Sequence, residues 1–595
     1  MVNQGIVGAS SFKKLLKPLI VFRVLSALLI NSYFQADEFW QCLEPAHYKA
    51  FGYGELTWEW KEGLRSYAFP FLFQMVYNVC KLISLVCTWA LLYCENFCQN
   101  IMMHSTSLKK YDFFWDVLDY VHYLRLNFPA DIEYYSVIYL PKVAMALIAA
   151  VGEYYTIGLI YKVYLLTFAK KYPKDANAII KIALVLTLSN FFNCFFITRT
   201  FINSFEMSVT AIALYYWPWS DSLEELRSPF FRLSLFLSFF MCLQRPTNGL
   251  TWFCFGLYTV YKLLSKKKFA EIKTLMFNIT TMGALAVVLN CCIDFYFYHE
   301  LCFPVLKFIK FNVTKSLSVF YGSAPWHFHI AQSFPIINGY SLPLVIYGLV
   351  TFFDTPNAHI FSIMKVTVLF TTTVFSLIKH KEFRFLFPMQ PLFMVFSTFS
   401  LFAISKKYAL KLESFAYLIT PIASVIAALV IVRFQETGVI QVIDLLHNLP
   451  YPIESAGFIM PCHSTPWQSH LHRPNINDLW AITCEPPLHL LEEADSDSLI
   501  KSYMDESDYL YDNIHKFIYL NFPPVFNKKL RSPEKTFLHE WPEYLIIFEH
   551  MDSEFMKKKL EDSAYFEYAR FFNSWSHWDS RRSGDVIVYH KPSWK

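Results

Sequence analysis

The stretch YFQADEFWQCLEPAHYKAFGYGELTWEW, from Tyr33 to Trp60, follows an apolar segment that ends at Ile30. Several ionisable residues lie among its aromatic rings: Asp37, Glu38, Glu44, His47, Glu55 and Glu59. A loop that only reverses the chain at a membrane surface needs no such cluster, whereas proton transfer at that surface needs carboxylates. The stretch therefore predicts a membrane span followed by a loop that carries chemistry.

The composition of the whole chain supports a membrane protein. Of 595 residues, 55% are hydrophobic and 17% are charged, and the mean hydropathy is +0.30. Globular domains carry about 25% charged residues. Aromatic residues are in excess, with 37 Tyr and 15 Trp of the type that lines membrane interfaces. A net charge of +4 without a basic tract gives no support for a nucleic-acid partner, and we expect none.

Apolar segments long enough to span a bilayer recur along most of the chain. They lie at 17–32, 67–94, 136–168, 178–197, 201–219, 229–244, 248–264, 270–293, 336–353, 359–378, 383–404 and 409–433. Basic clusters, which favour the cytosol, occur around Lys170, Lys266 and Lys406. A cytosolic N-terminus and a cytosolic Lys170 require an even number of crossings, yet three segments lie between them. Either one segment does not cross or residues 98–138 hide a fourth, so we expect 11 or 13 spans.

The chain changes character near residue 434. The remainder is rich in Pro, His, Trp and acids, including LEEADSDSLIKSYMDESDYLYD. We predict a membrane region at 1–433, with an active-site loop at 32–66, and a soluble luminal domain at 434–595. Cys462 and Cys484 could pair if that domain lies in an oxidising lumen. Asn312 starts a glycosylation sequon in a predicted luminal loop.

The adjacent carboxylates Asp37 and Glu38 are the first candidate site. A carboxylate near the bilayer can act as a general base on a sugar hydroxyl. Neighbouring side chains usually point apart, so we expect one base and one helper. The alternative is a solvated loop end that caps a helix.

Charges within or beside spans form a second set, since they are costly there and often functional. Arg199 and Glu206 could pair with each other, Arg245 precedes a proline, and the run HKEFRF places four ionisable residues at a membrane edge. The Arg and Lys side chains of this set are suited to phosphate recognition. That run supplies His380, Lys381, Glu382 and Arg384. Trp326 and His327, in YGSAPWHFHI, are suited to a sugar or lipid headgroup. The alternatives are helix-end snorkelling and an interfacial aromatic belt.

Metal and nucleotide motifs are not found. The histidines His463, His470 and His472 do not have the spacing of a structural zinc site. There is no Walker A loop and no GxGxxG. We expect no bound cofactor, and the sequence leaves a metal requirement open.

The opening loop resembles that of the dolichyl-phosphate-mannose-dependent mannosyltransferases, glycosyltransferase family 22. QADEFWQCLEPAHYKAFGYGELTWEWKEGLRSYAFP carries the resemblance, together with TRTFINSFEM, QRPTNGLTW, YGSAPWHFHIAQSFP, HKEFRFLFP, MPCHSTPWQSHLH and RRSGDVIVY. Ala36 departs from the proline that usually precedes the acidic pair. The stretch around 98–135 is long for the family.

This resemblance implies a GT-C fold in the endoplasmic reticulum membrane, with the active site luminal. It also implies Asp37 as base, Glu38 as helper, and Glu44, His47 and Arg65 of the same loop as substrate contacts. The implied donor is dolichyl-phosphate-mannose. Within the family, the chain most resembles the type that adds the third, α1,2-linked mannose to the glycosylphosphatidylinositol (GPI) precursor.

Other functions remain open on the sequence alone. A sister mannosyltransferase would add the fourth GPI mannose or act on the lipid-linked N-glycan precursor. A lipid transporter or scramblase would show inverted repeats and a mid-membrane site, whereas the ionisable residues here gather at predicted luminal ends. A non-catalytic subunit would not need the Asp37–Glu38 pair. Partner subunits cannot be inferred.

Overall fold

The structure is a computed structural model and describes residues 12–104, 112–219, 223–314, 320, 322–408, 415–492, 496–525, 527–532 and 534–592. Helices dominate up to residue 448. In chain order they are α1 (Leu16–Leu28), α2 (Glu44–Phe51), α3 (Trp58–Lys61), α4 (Ala68–His104), α5 (Asp112–Thr167), α6 (Ala176–Leu188), α7 (Phe191–Phe196), α8 (Ile202–Tyr216), α9 (Leu223–Arg227), α10 (Pro229–Gln244), α11 (Gly249–Ser265), α12 (Phe269–Tyr298), α13 (Pro304–Ile309), α14 (Phe334–Asn338), α15 (Leu342–Val350), α16 (His359–Leu377), α17 (Gln390–Tyr408), α18 (Phe415–Phe434) and α19 (Gly438–Asn448).

Six helical stretches of the described chain are long and apolar enough to cross a membrane. They are Ala68–His104, Asp112–Thr167, Phe269–Tyr298, His329–Val350, His359–Leu377 and Phe383–Tyr408, and the bent pair Ile419–Phe434 and Gly438–Asn448 would add a seventh. Every predicted apolar segment overlaps a helix, so the expected polytopic helical membrane protein is confirmed. The number of crossings, 11 or 13, stays a prediction, because length and composition do not locate a bilayer.

The described residues of 98–138, where a further span was one of two alternatives, belong to extensions of two long helices. α4 continues to His104, and α5 begins at Asp112. α5 is 56 residues long and contains Pro129 and Pro141. These two helices pack against each other as an antiparallel hairpin, in which Ser84 Oγ donates to the Pro129 carbonyl at 3.0 Å.

Helices α1, α5 and α8 form the centre of the helical region. Arg23 of α1 donates from Nε to Glu153 of α5 at 2.7 Å, and both side chains are buried. A Cβ atom at Gly152 would lie 2.6 Å from Ser208 of α8. Glycine is therefore required where these two helices cross, as in the close packing typical of membrane helices.

The C-terminal part is built on a five-stranded sheet. Its strands are β1 (Ser455–Ile459), β2 (Asp478–Ala481), β3 (Tyr544–Phe548), β4 (Phe566–Phe571) and β5 (Val586–His590). The spatial order is β2-β1-β3-β5-β4, parallel among the first three strands and antiparallel from β3 to β4. Five helices accompany it: α20 (Gln468–Leu471), α21 (Ser496–Ser502), α22 (Glu506–Asp512), α23 (Ile514–Asn521) and α24 (Glu554–Asp562).

The two faces of this sheet pack against different partners. One face, with Leu545 and Ile547, packs on α22–α24. The other, with Ile546 and Val588, packs on α19 and on the opening-loop rings Phe39 and Trp40. Burial of one such side chain contributes about 1.5–3 kcal/mol, so the sheet fixes the opening loop from one side. A disulfide joins Cys462 and Cys484 in this region.

Candidate active site

The opening loop is anchored at its start to the end of α18. Asn31 N–H donates to the Val432 carbonyl at 3.0 Å, and Tyr33 N–H donates to the Glu436 carbonyl at 2.9 Å. The chain then enters a π-helical turn, Phe39–Leu43. Asp37 and Glu38 stand directly before this turn, where their side chains diverge toward different partners.

Glu38 is buried and paired with an arginine. Arg199 Nη1 lies 3.0 Å from its carboxylate, and the same guanidinium donates to Ser32 at the carbonyl (2.8 Å) and the hydroxyl (2.6 Å). Thr200 Oγ1 donates to the Glu38 carbonyl at 3.0 Å. Burial raises the pKa of Glu38, and Arg199 opposes that rise. Glu38 therefore holds the opening loop against Arg199 and Thr200, and its predicted role as helper of Asp37 stays a prediction.

Asp37 is the more accessible carboxylate. Its side chain is 25% exposed, and it is contacted by Arg384 Nη2. Asp37 lines a small cavity of about 30 Å³ together with Gln41, Arg65, Ser66 and Arg245. A base needs a carboxylate that substrate can approach, and of the two acids Asp37 is the more exposed, so its role as base stays a prediction.

Arg384 connects Asp37 to the HKEFRF segment. Its Nε and Nη2 donate to the two carboxylate oxygens of Glu382 at 2.7 and 2.9 Å. His380 Nε2 lies 3.4 Å from Glu382 Oε1. Burial works against ionisation of Glu382, yet Arg384 and His380 together hold its pKa well below the ordinary value. Three of the four predicted residues in this segment therefore form one network with Asp37.

Two further predicted arginines line the Asp37 cavity. Arg65 Nη2 donates to Glu59 at 2.7 Å. Burial opposes its charge, but Glu59 raises the pKa of Arg65 above the ordinary value. Arg245 Nε lies 3.6 Å from Glu206, which also accepts from Asn248 Nδ2 at 2.8 Å. Asp37 thus faces a cavity bordered by permanent positive charge.

The Arg65 segment is held by a residue that sequence reasoning missed. Asp294 of α12 accepts from Tyr67 N–H at 2.7 Å and from Ser66 Oγ at 2.9 Å. Asn290 Nδ2 donates to the same carboxylate at 2.6 Å. Its position in the sequence could have revealed it, because an acid within an apolar segment is energetically costly and usually has a function.

Glu44 and His47 contact the C-terminal part of the chain. Glu44 is buried and accepts from the N–H groups of Trp467 (2.9 Å) and Ser469 (3.1 Å). Burial raises the pKa of Glu44 to about 7, against the effect of these hydrogen bonds. His47 Nε2 lies 2.9 Å from His472 Nδ1. These positions favour a structural role for both residues over the substrate contacts predicted for them.

Trp326 and His327 lie away from the Asp37 cavity. Both are exposed, Trp326 by 67%. Their segment contacts the HKEFRF segment, because Lys381 Nζ donates a hydrogen bond to the Ala324 carbonyl at 2.8 Å. Lys381 is thus engaged with backbone, and the predicted headgroup contacts of all three residues stay predictions.

A larger cavity of about 190 Å³ lies against the Glu38 side of the loop. Polar and charged groups line much of it: Asn31, Ser32, Glu38, Tyr134, Tyr135, Lys142, Arg433, Asp444 and Asn448. Sequence reasoning did not single out Lys142, Arg433 or Asp444. Lys142 and Asp444 were detectable as charges inside apolar stretches, whereas their meeting in one cavity depends on the fold.

One trio in the described chain has the composition of a metal site: Cys462, His463 and Cys484. The two cysteines are joined in a disulfide, and the metal ligand is a thiolate. This trio therefore does not fit a metal while the disulfide is intact. Of the other two histidines considered in the sequence, His470 is buried and His472 pairs with Glu133 at 3.3 Å.

Residues 14–472 match the model of the Alg9-like mannosyltransferase family. Among curated proteins, the chain is 48% identical over 588 residues to GPI mannosyltransferase 3 of Saccharomyces cerevisiae, covering 96% of this chain and 94% of that protein. It is 50% identical over 591 residues to GPI mannosyltransferase 3 of Candida glabrata, covering 96% and 95%.

A solved structure has the same fold. The crystal structure of ArnT from Cupriavidus metallidurans bound to undecaprenyl phosphate superposes with a TM-score of 0.52, covering 97% of this chain and 98% of that one. Sequence identity is 10%, so the likeness concerns the fold alone. It confirms the predicted GT-C type.

Proposed function

Because the chain belongs to the Alg9-like mannosyltransferase family, we propose that it is the mannosyltransferase that adds the third, α1,2-linked mannose to the GPI precursor. One observation carries this choice among sister enzymes. Relatives named GPI mannosyltransferase 3 match at 48–50% identity over nearly their whole length. The family resemblance of the opening loop supports the same choice.

The donor in this proposal is dolichyl-phosphate-mannose. Its mannose is β-linked to phosphate, and the product is α-linked, so the anomeric carbon inverts. Inversion needs a single displacement with one base. Lipid phosphate is already a good leaving group, so no second carboxylic acid is required, in contrast to paired-carboxylate glycosidases.

Asp37 is the base in this mechanism. Its carboxylate takes the proton of the acceptor hydroxyl, and the hydroxyl oxygen forms a bond to the anomeric carbon. The bond from that carbon to the phosphate oxygen breaks, and its electron pair leaves with dolichyl phosphate. Arg384 orients Asp37, while Glu382 shares the charge of Arg384.

The developing negative charge on the leaving phosphate needs cations. Arg65 and Arg245 border the Asp37 cavity, and arginine binds phosphate oxygens in a bidentate manner. Charge placed in advance at such a position lowers the barrier without reorganisation during the reaction. We assign these two arginines to the donor phosphate.

The acceptor reaches the loop from the Glu38 side in this proposal. The cavity of about 190 Å³ there offers tyrosines, amides and charged groups, which suit sugar hydroxyls and phosphate. Glu38 lines this cavity and Asp37 lines the smaller one, so in this proposal the acceptor hydroxyl must pass the loop backbone between these adjacent residues to reach the base. We further propose an endoplasmic reticulum location, with residues 1–433 as the catalytic membrane region and a luminal soluble domain at 434–595.

The test uses cells depleted of this protein and labelled with radioactive mannose. We expect a GPI precursor bearing two mannoses to accumulate, and expression of this chain to remove it. A precursor bearing three mannoses would assign the chain to the fourth mannose. Normal GPI precursors with a truncated N-glycan lipid would assign it to the sister pathway. Undisturbed precursors in both pathways would refute a mannosyltransferase role.

A further inference from the structure

The hairpin formed by α4 and the first half of α5 poses a geometric problem. α5 has 56 residues, which at 1.5 Å per residue extends about 84 Å. The hydrocarbon core of a bilayer is about 30 Å thick. One crossing therefore accounts for less than half of α5, and the rest must lie elsewhere.

The second half of α5 runs antiparallel to α1. Lys142 Nζ donates to the carbonyl of Ile30, at the opening-loop end of α1, at 2.9 Å. Glu153 meets Arg23 in the middle of α1. Tyr154 stacks on Phe12, which precedes the N-terminus of α1, with ring centroids 4.3 Å apart. Residues that precede Lys142 therefore extend beyond α1 on the side of the opening loop.

α4 remains on that same side. Tyr77 contacts the ring of His47, and Lys81 Nζ donates to the Ala50 carbonyl at 2.9 Å. Lys81 lies about 20 Å along the helix from Ala68, yet it is still beside α2 of the opening loop. A helix that crossed the bilayer from Ala68 would by then lie deep among the other spans.

Near the turn of the hairpin, ion pairs join its two helices. Glu95 of α4 lies 2.7 Å from His122 Nδ1 and also contacts Arg125 of α5. The first half of α5 carries many charges: Asp112, Asp116, Asp119, Arg125, Asp131 and Glu133. Such a density is incompatible with a membrane span.

The outer surface of the hairpin is nevertheless strongly apolar. Val86, Trp89 and Tyr93 of α4 are 58%, 65% and 73% exposed. Trp115 and Tyr123 of α5 are 47% and 61% exposed. An apolar surface of this extent is seldom left in water, and Trp and Tyr beside charges are typical of helices that lie in the membrane interface.

We propose that the hairpin of residues 68–104 and 112–138 does not cross the membrane. It lies along the bilayer on the side of the opening loop, with its apolar surface seated in that leaflet. This placement requires α5 to bend between its in-plane and crossing parts, and Pro141 lies at that point of the helix, where proline permits a kink. Length and composition alone make α4 a candidate span; its contacts with α2 outweigh that indication.

Two consequences follow from this placement. Only α1 and the second half of α5 cross before Lys170, an even number, so the twelve predicted segments less α4 give eleven crossings. The in-plane hairpin also supplies Tyr134 and Tyr135 to the wall of the larger cavity, and Lys142 joins them from the start of the crossing part of α5. The mouth of that cavity is then level with the leaflet that holds lipid-linked substrates.

The first experiment maps sides of the membrane in the full-length chain with Asn312→Gln. A glycosylation sequon in a Gly-Ser linker is inserted after His104, after Lys171 or after Asp562 in separate variants. We expect the sequons inserted after His104 and after Asp562 to have the same glycosylation state. We expect the sequon inserted after Lys171 to have the other state. Agreement of His104 with Lys171 would mean that α4 crosses, and would overturn the proposal.

The second experiment identifies what covers the hairpin. Val86 is replaced by the photocrosslinker p-benzoylphenylalanine in membranes, with the exposed tail residue Lys516 as the matched control position. We expect lipid adducts at position 86 and none at 516. A protein adduct at position 86 would show that a partner subunit covers this surface, and would refute the lipid assignment.

Discussion

Arg384 contacts the carboxylate of Asp37, although 347 positions of sequence separate them. The same guanidinium also holds Glu382. This bridge joins the opening loop, which lies near the N-terminus, to the last third of the membrane region. The Asp37 carboxylate is thus held by a residue on a helical turn that is distant in the sequence.

Replacement of Asp37 tests the proposed base. We expect Asp37→Asn to lower mannose transfer by about 10²–10⁴-fold, because general base catalysis contributes that factor. The measurement is transfer to the GPI precursor in microsomes at matched protein level. Glu62→Gln, an exposed acid in the same loop, is the control and should retain activity. Full activity of Asp37→Asn would refute the assignment.

Replacement of Arg384 tests the bridge. Arg384→Gln leaves the partly exposed carboxylates of Asp37 and Glu382 without their shared, buried cation. Removal of one partner from a fully buried pair costs about 3–5 kcal/mol, and the exposure of both acids makes the loss smaller here. We expect both a lower unfolding temperature and a loss of transfer. Arg384→Lys cannot bind both carboxylates in a bidentate manner and should rescue only in part.

The matched control for the bridge is Lys379→Gln, which removes an exposed cation nearby. It should leave both stability and transfer unchanged. If Arg384→Gln unfolds at the wild-type temperature and transfers mannose normally, the bridge has no role in positioning Asp37.

Glu44 predicts a dependence of stability on pH. Burial raises its folded pKa to about 7, above the ordinary value of about 4.3. The folded state therefore binds more protons between these values, and stability falls as pH rises from about 4.3 to 7. Glu44→Gln keeps an acceptor for the Trp467 and Ser469 N–H groups but cannot ionise.

We expect the unfolding temperature of Glu44→Gln to vary less with pH between 5 and 7 than that of the wild type. The measurement is thermal unfolding in detergent across this range. The exposed acid Glu62, changed to Gln, should leave the slope unaltered. Identical slopes in Glu44→Gln and the wild type would exclude Glu44 as the origin of the dependence.

The Cys462–Cys484 disulfide predicts redox-sensitive stability. It closes a loop with a separation of 22 residues, for which chain entropy gives a stabilisation of about 3 kcal/mol. Within that loop, the His463 carbonyl accepts from Tyr33 and the Thr465 carbonyl accepts from Trp40 at 3.1 Å. We expect Cys484→Ser to lower both the unfolding temperature and transfer.

Reductant should reproduce this effect in the wild type and add nothing in Cys484→Ser. Cys292→Ser, at an exposed free cysteine, is the control and should behave as wild type. A wild-type unfolding temperature in Cys484→Ser would mean that the disulfide does not support the opening loop.

The sequon at Asn312 predicts a glycan on that side chain. We expect Asn312→Gln to increase electrophoretic mobility by the equivalent of one glycan and endoglycosidase to abolish the difference. Asn278→Gln is the matched control, since Asn278 is buried and donates to the Leu226 carbonyl at 2.7 Å. A mobility unaffected by Asn312→Gln would place this loop outside the reach of the glycosylation machinery.

The sequence alone determined the class of the protein and the main elements of the site. Apolar length sets membrane helices because the bilayer leaves backbone groups no other partner, and each predicted segment overlaps a helix. Asp37, Arg65, Arg245 and Arg384 were all detectable, as charges at places where charge is costly or as members of the resembling loop.

Only the tertiary structure decided which of these residues meet. Arg199 reaches Glu38 and Arg384 reaches Asp37 across 161 and 347 positions, and local pattern carries no information about such pairs. The structure also shows that Glu44 and His47 contact the C-terminal part of the chain, and their predicted substrate contacts stay predictions. Likewise, apolar length cannot distinguish a crossing helix from an in-plane one, since both bury the same residue types in lipid. The contacts of α4 with the opening loop, which only the tertiary structure shows, are what our in-plane proposal rests on.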